Sequence, residues 1–162
     1  MFEETIADYT GAPYAVSTDN CTDALLLCCE YLGVEEVTIP SRTYLSVPQS
    51  ILHAGGNLKF RDYRWKGVYQ LEPYPIYDAA KRLTSGMYIP GSLMCLSFHI
   101  KKHLKIGKGQ INGWNAYMSP EVAARGLMLM QNYPEHMEDL SEEPFYQDLR
   151  EFDLFKNVEM RE

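Results

Sequence analysis

Glu36-Val37-Thr38-Ile39-Pro40 and Leu58-Lys59-Phe60-Arg61-Asp62, with Tyr44 to Ala54 between them, decide the fold of this chain. Both short runs carry the β-branched, aliphatic and aromatic side chains that suit a pleated, half-buried surface. Pro40 closes the first run, because it has no N–H to extend a ladder. The stretch between them has the pattern of a helix. It tolerates Pro48 in its first turn and stops at Gly55-Gly56. Strand, helix and strand in succession, joined by short connections, make a unit whose strands run parallel.

The same alternation extends outward. Upstream, Phe2, Ile6 and Tyr9 repeat at helical spacing, and Gly11 and Pro13 stop that helix. Tyr14-Ala15-Val16-Ser17 reads as a short buried strand. A second helix is expected from Asp23 to Leu32, capped by Thr22 or Asp19 and ended by Gly33. Downstream, Pro75-Ile76-Tyr77-Asp78 and Leu93-Met94-Cys95-Leu96-Ser97 read as two more strands. Asp78 and Ser97 then fall at strand C-terminal ends, where open α/β sheets bind ligands. Ser119-Pro120 predicts a helix start, with the serine as N-cap and the proline at the first helical position. That helix runs to about Gln131, with Val122, Ala123, Gly126, Leu127 and Met130 on one face. Phe145, Leu149, Phe152 and Phe155 suggest one amphipathic helix near the end. No internal repeat or low-complexity segment is present.

Composition sets the broad class. The chain has 162 residues, of which 46% are hydrophobic, enough for one packed domain. Its net charge of −7 argues against nucleic acid or an anionic membrane surface as partner. The charge is segregated. Residues 134–162 hold ten acids and three bases, so they carry the whole −7 and residues 1–133 are neutral. This divides the chain into a core at 1–133 and an acidic, helical C-terminal segment at 134–162. The four cysteines, Cys21, Cys28, Cys29 and Cys95, form no CxxC, and a reduced, cytoplasmic compartment is expected. No apolar run is long enough to span a bilayer, and Met1-Phe2-Glu3-Glu4 does not read as a signal peptide.

Two features carry chemistry. Lys102 ends the run Ser97-Phe98-His99-Ile100-Lys101-Lys102, and Gly107-Lys108-Gly109 follows. A lysine becomes a carbonyl-capturing amine only where a site lowers its pKa and aims it at a cofactor. A serine, an aromatic, a lysine five positions after the serine, then glycines is one way an enzyme of pyridoxal 5'-phosphate (PLP) presents that lysine. Asp78-Ala79-Ala80 supplies the other half, an aspartate partner for a pyridine nitrogen. Lys101 is the register rival of Lys102. His99 and His103 are four apart, but no acid or thiol lies beside them, so no metal is expected.

The order of motifs resembles the DegT/DnrJ/EryC1/StrS family of PLP-dependent aminotransferases, most of which act on nucleotide-linked keto-sugars. The matching pieces cover most of residues 2–130. They are Phe2-Glu3 to Gly11, Ala15 to Leu25, Glu36 to Pro40 with Thr43-Tyr44, Phe60-Arg61-Asp62, Asp78-Ala79-Ala80, and Ser97-Phe98-His99 with Lys102. Gly113 to Met118 with Ala123-Ala124-Arg125-Gly126 adds a downstream motif.

The resemblance implies an α/β, mostly parallel large-domain core of the PLP-dependent transferase (aspartate aminotransferase, type I) fold, here truncated. It implies a homodimer that moves an amino group from an amino-acid donor to a keto-sugar nucleotide. Asp78 would keep the pyridine nitrogen protonated. Lys102 would hold the cofactor and shuttle a proton. Cys21, Thr22 and Ser97 would lie at the phosphate, Tyr44 on the ring face, and Lys81 near the ring hydroxyl. Asn115 would reach the phosphate of the neighbouring subunit.

The chain also departs from that pattern. Between Asp62 and Asp78 the family carries two further βα units, and here only residues 63–77 remain, too few for a parallel crossover. A second shortening lies between Gln110 and Gly113, and the usual C-terminal domain is replaced by the acidic tail. Cys21 stands for a usual glycine and Lys81 for a usual Gln or His. A catalytically inactive PLP-binding remnant is therefore the first alternative, and an interaction module with an acidic tail the second.

Overall fold

The computed structural model describes residues 1–106, 118–140 and 146–161. Its helices are α1 (Phe2–Thr10), α2 (Cys21–Leu32), α3 (Ser46–His53) and α4 (Pro120–Met130). Its strands are β1 (Glu36–Pro40), β2 (Asn57–Arg61), β3 (Tyr69–Gln70), β4 (Ile76–Asp78), β5 (Leu93–Cys95) and β6 (Glu159–Met160).

The parallel unit forms as expected. β1 and β2 pair parallel in the register Glu36 with Asn57 through Pro40 with Arg61, and α3 makes the crossover. β6 adds parallel to the other edge of β2, giving the order β1-β2-β6. Lys59 on the central strand reaches both neighbours, with Nζ 3.0 Å from Glu36 and 3.4 Å from Glu159.

The second sheet has the order β3-β4-β5, with β4 and β5 parallel but β3 and β4 antiparallel. Thr38 and Glu72 exchange backbone hydrogen bonds of 2.8 and 3.0 Å, and this bridge joins the two sheets. The short segment 63–77 thus returns as an antiparallel hairpin arm, the connection its length permits.

Two apolar clusters hold the layers together. In the first, Val37, Ile39, Ile51, Phe60, Leu71 and Ile76 are fully buried. In the second, Phe2 and Ile6 of α1 meet Leu83, Leu104, Ile106 and Met118, with Val122, Ala123, Leu127 and Met130 of α4 packed against them. Gly126 sets the closeness of this contact, because a Cβ there would stand 2.5 Å from the Phe2 ring and 2.7 Å from Ile106 Cδ1.

Three expectations are corrected. Tyr14 to Ser17 is not a buried strand: Tyr14 and Val16 are 75% and 80% exposed, and the segment is pinned by a side chain instead. Ser17 donates its backbone N–H and its hydroxyl to Glu3 Oε1, at 2.6 and 2.7 Å. The cap of α2 is neither Thr22 nor Asp19 but Asn20, whose Oδ1 accepts from Asp23 N at 3.0 Å, so Cys21 and Thr22 lie inside the first turn.

The amphipathic helix expected around Leu149, Phe152 and Phe155 is two 3-10 turns, Leu149–Glu151 and Asp153–Phe155, followed by β6. Asp148 explains the break. Its carboxylate accepts from Arg150 N at 3.1 Å and pairs with the Arg150 and Arg42 guanidinia, and such local bonding competes with an α-helix. Leu149 and Phe155 enter the first cluster, and the Phe155 ring meets Phe60 edge-on at 5.9 Å. The acidic segment is thus built into the core. Phe145 and Asn115 lie outside the described residues.

Candidate active site

The site grows from the end of β4. Register places Tyr69 of β3 directly opposite Asp78, so both side chains point to one face. Tyr69 donates its hydroxyl to Asp78 Oδ2 at 2.8 Å, and Thr43 donates to the Tyr69 oxygen at 2.6 Å. Ala80 N donates to Asp78 Oδ1 at 2.9 Å. Asp78 is 5% exposed. Burial pushes its carboxyl above the usual range, while the Ala80 N–H, the Tyr69 hydroxyl, Lys102 and Lys81 pull the other way.

Aromatic rings wall this corner. Trp65 leans on Tyr69 at 4.7 Å, stacks on Tyr146 at 6.1 Å and donates its indole N–H to Arg42 O. Lys81 Nζ sits 5.5 Å from the centre of the Tyr146 ring. Lys81 is only 3% exposed, and burial together with the neighbouring Lys102 draws its amine down to about 7. Burial and the nearby Asp78 carboxylate push the Cys21 thiol far up, against the pull of Lys102.

These groups open on a single cavity of about 890 Å³. Of the residues singled out from sequence, Cys21, Thr22, Tyr44, Asp78, Lys81, Ser97 and Lys102 all line it. Lys102 lies in the turn after β5, its N–H bonded to His99 O at 2.8 Å. Lys101 also reaches the cavity lining but is exposed, whereas Lys102 is half-buried and acts on Asp78, Cys21 and Lys81. Thr22 donates to Ser46 Oγ at 2.8 Å, and Ser50 donates to Thr22 O at 3.2 Å. The N-terminal turns of α2 and α3 therefore converge on the cavity wall. Tyr44, 59% exposed, stands at its rim.

Sequence reasoning missed Trp65, Tyr69 and Tyr146, and it quoted Thr43 without a role of its own. A signal for Tyr69 existed: Tyr69-Gln70-Leu71 and Ile76-Tyr77-Asp78 flank Glu72-Pro73-Tyr74-Pro75, a hairpin pattern that aligns Tyr69 with Asp78. His103 Nε2 bonds Glu138 O at 2.7 Å, and among the described residues no three His, Cys, Asp or Glu side chains gather as a metal site.

Residues 1–89 match the model of the DegT/DnrJ/EryC1/StrS aminotransferase family. The chain is 33% identical over 101 residues to UDP-2-acetamido-2-deoxy-3-oxo-D-glucuronate aminotransferase of Pseudomonas aeruginosa, covering 59% of this chain and 28% of that enzyme. It is 37% identical over 57 residues to GDP-perosamine synthase of Caulobacter vibrioides, covering 33% of this chain and 15% of that one. The matched segments thus span under a third of each of these relatives. A crystal structure from Bacillus cereus, assigned as a PLP-dependent aminotransferase, superposes with a TM-score of 0.64 at 19% identity, covering 82% of this chain and 57% of that one. The PLP form of a Streptococcus pneumoniae protein assigned as a sugar aminotransferase gives a TM-score of 0.65 at 19% identity, with 82% and 58% covered. These likenesses establish the fold, a PLP-dependent transferase-like α/β core.

Proposed function

Because the chain belongs to the DegT/DnrJ/EryC1/StrS aminotransferase family, we propose that its cavity binds PLP and that it transfers an amino group from an amino-acid donor to a nucleotide-linked keto-sugar. The observation that carries this reading is Asp78, a buried carboxylate on the cavity wall with two lysines near enough to act on its charge. PLP supplies an electron-withdrawing pyridine ring that loosens bonds at the α-carbon of an attached amine.

The residues present fit such a group. A buried carboxylate held by one N–H and one hydroxyl keeps a lone pair on each oxygen for a protonated ring nitrogen. The first turn of α2 turns the backbone at Cys21 and Thr22 and a positive dipole end toward a phosphate. A volume of about 890 Å³ has room for a cofactor and part of a substrate.

In this reading Asp78 holds a proton on the ring nitrogen, and Tyr69 and Ala80 fix its orientation. Lys102 Nζ would hold the cofactor and would carry a proton to and from the α-carbon of the substrate. Cys21, Thr22 and Ser97 hold the phosphate, Tyr44 covers a ring face, and Lys81 lies beside Lys102. The test is chemical trapping. PLP added to the protein and reduced with borohydride should mark the peptide bearing Lys102, and Lys102→Ala should abolish the mark. No mark on the wild-type protein sinks the proposal.

The expected homodimer, with Asn115 at the partner's phosphate, belongs to the same reading, as does a cytoplasmic location. Tyr31, 81% exposed, stands with Tyr14 and Val16 along the cavity, an apolar rim that supports a second copy. Sedimentation showing only monomers at micromolar concentration would count against it. Among the described residues no helix is long and apolar enough to cross a membrane.

A second reading, a PLP-binding protein without turnover, draws on the antiparallel β3 that stands where the longer βα units would be. The two separate on the amino-donor half-reaction, run on unreduced protein with added PLP: loss of the protein-bound PLP absorbance on adding glutamate supports the enzyme, and its persistence with every donor supports the remnant.

A further inference from the structure

We propose that Cys28 and Cys95 are a site of reversible oxidation, where a peroxide entering the cavity links the two sulfurs as a disulfide and ties α2 to the end of β5. This stands apart from the PLP reading, because the two thiols meet whatever the cavity holds.

Helix α2 carries Cys21, Ala24 and Cys28 to the cavity wall at helical spacing. β5 ends on Cys95, which pairs with Asp78 across the ladder and accepts from Ala79 N at 2.9 Å. Packing of α2 on these strands brings Cys28 Sγ to 3.7 Å from Cys95 Sγ, as a thiol–thiol hydrogen bond. The two residues lie 67 apart in sequence, so the fold alone makes this contact. All four cysteines of the chain carry free thiols. A disulfide needs sulfurs about 2.05 Å apart, so the pair must close by roughly 1.7 Å.

The other cysteines are worse partners for Cys28. Cys21 lies two helical turns earlier, roughly 10 Å along the axis, and a disulfide tolerates Cα atoms only about 7 Å apart. Cys29 is fully buried in the first apolar cluster, and adjacent helical positions do not face each other.

The contact also divides the chemical roles. The hydrogen bond from Cys95 draws the Cys28 thiol below its ordinary range against the effect of burial, while the same contact and burial push Cys95 far up. Cys28 is half-buried and lines the cavity, whose volume of about 890 Å³ admits a peroxide. Its thiolate attacks one peroxide oxygen and breaks the O–O bond, leaving Cys28 as a sulfenic acid and releasing water. The Cys95 sulfur then attacks the Cys28 sulfur. The S–S bond forms, the S–O bond breaks, and the departing hydroxyl takes the Cys95 proton as a second water. The two thiols lose two electrons and two protons, and the peroxide is reduced to two waters. The new bond fixes the wall from which Asp78 and Ser97 face the cavity.

The test uses the full-length, reduced protein and hydrogen peroxide. Remaining thiols are blocked with N-ethylmaleimide, and the protein is digested without reduction. Cleavage at acidic residues and at Lys and Arg separates Cys21 from Cys28-Cys29 and from Cys95, and the peptides are weighed. The main product should be an intrachain Cys28–Cys95 link, reversed by dithiothreitol. Cys21→Ser and Cys29→Ser should keep it, and Cys28→Ser should abolish it. Cys95→Ser should leave Cys28 as a sulfenic acid that dimedone captures. In urea the Cys28–Cys95 share should fall severalfold, because the fold no longer selects the pair. The decisive arm is the wild-type protein, so a variant that fails to fold does not decide the matter. Cys28 and Cys95 both still open to alkylation after peroxide, a main link through Cys21 or Cys29, or a main link between two chains overturns the proposal.

Discussion

Tyr69→Phe removes one oxygen atom and tests how Asp78 is held. The Tyr69 hydroxyl donates to Asp78 at 2.8 Å and accepts from Thr43 at 2.6 Å, and all three side chains are buried. A hydrogen bond to a charged group contributes roughly 1.5–3 kcal/mol and a neutral one about 0.5–1.5 kcal/mol. Losing both should cost about 2–4 kcal/mol at pH 7, a drop of roughly 30- to 700-fold in the folding constant. Urea titration of the variant and wild-type protein measures this directly. The pH dependence has a definite sign. Burial raises the Asp78 carboxyl, so the folded chain binds its proton more tightly than the unfolded chain. Its contribution to stability is complete below the unfolded carboxylate range and is lost as pH rises through the folded value. Tyr69→Phe deletes a donor that favours the charged form, which raises that value further. The penalty should therefore be about 1 kcal/mol larger at pH 7 than at pH 4, the difference between a charged and a neutral acceptor. Thr43→Val, which loses only the neutral bond, should cost about 1 kcal/mol at both pH values. A Tyr69→Phe penalty under about 0.5 kcal/mol, or one equal at both pH values, would refute this account of how the carboxylate is held.

Further predictions concern the scaffold. Gly126→Val should lower stability by about 1–3 kcal/mol, because the new side chain meets the Phe2 ring and Ile106. A melting temperature equal to the wild type's would show that α1 and α4 separate freely. Asp148→Asn should cost about 1–3 kcal/mol at pH 7, since Arg150 and Arg42 lose their shared carboxylate. Arg150 holds the Asp148 carboxyl below its usual range, so this stability is present above the unfolded carboxylate range and fades as pH falls through the folded value. Stability curves for Asp148→Asn and wild type should therefore converge at acid pH, and parallel curves down to pH 2 would contradict the pairing.

How far the sequence reveals this fold depends on the range of the interactions. The β1-α3-β2 unit is legible because its signals are local: side-chain period, Pro40, and Gly55-Gly56 at the turn. Gly11 and Gly33 end α1 and α2 in the left-handed conformation, as their positions suggest. Tyr14 to Ser17 misleads because alternation of side chains cannot tell a buried strand from a loop tethered by Glu3. The tail misleads for a related reason. Its aromatic spacing suits a helix, but Asp148 binds its own neighbour's N–H and interrupts the coil. At the candidate site, Asp78, Lys102 and their neighbours can be located from motif order, whereas Tyr146 and Trp65 reach the same corner from distant parts of the chain. Their meeting is a product of tertiary packing, for which no short pattern exists.

The placement of β6 has a consequence for synthesis. Glu159 and Met160 flank Lys59 and Phe60 on the outer edge of β2, and Arg161 donates its N–H to Phe60 O at 2.8 Å. On the ribosome these residues emerge after the other five described strands. Until they arrive, the nascent β2 presents an open hydrogen-bonding edge, with Phe60 still lacking the ring of Phe155. Such an edge can recruit a neighbouring polypeptide on the same polysome. The interval during which a chaperone matters most is therefore the one between the appearance of β2 and the emergence of β6.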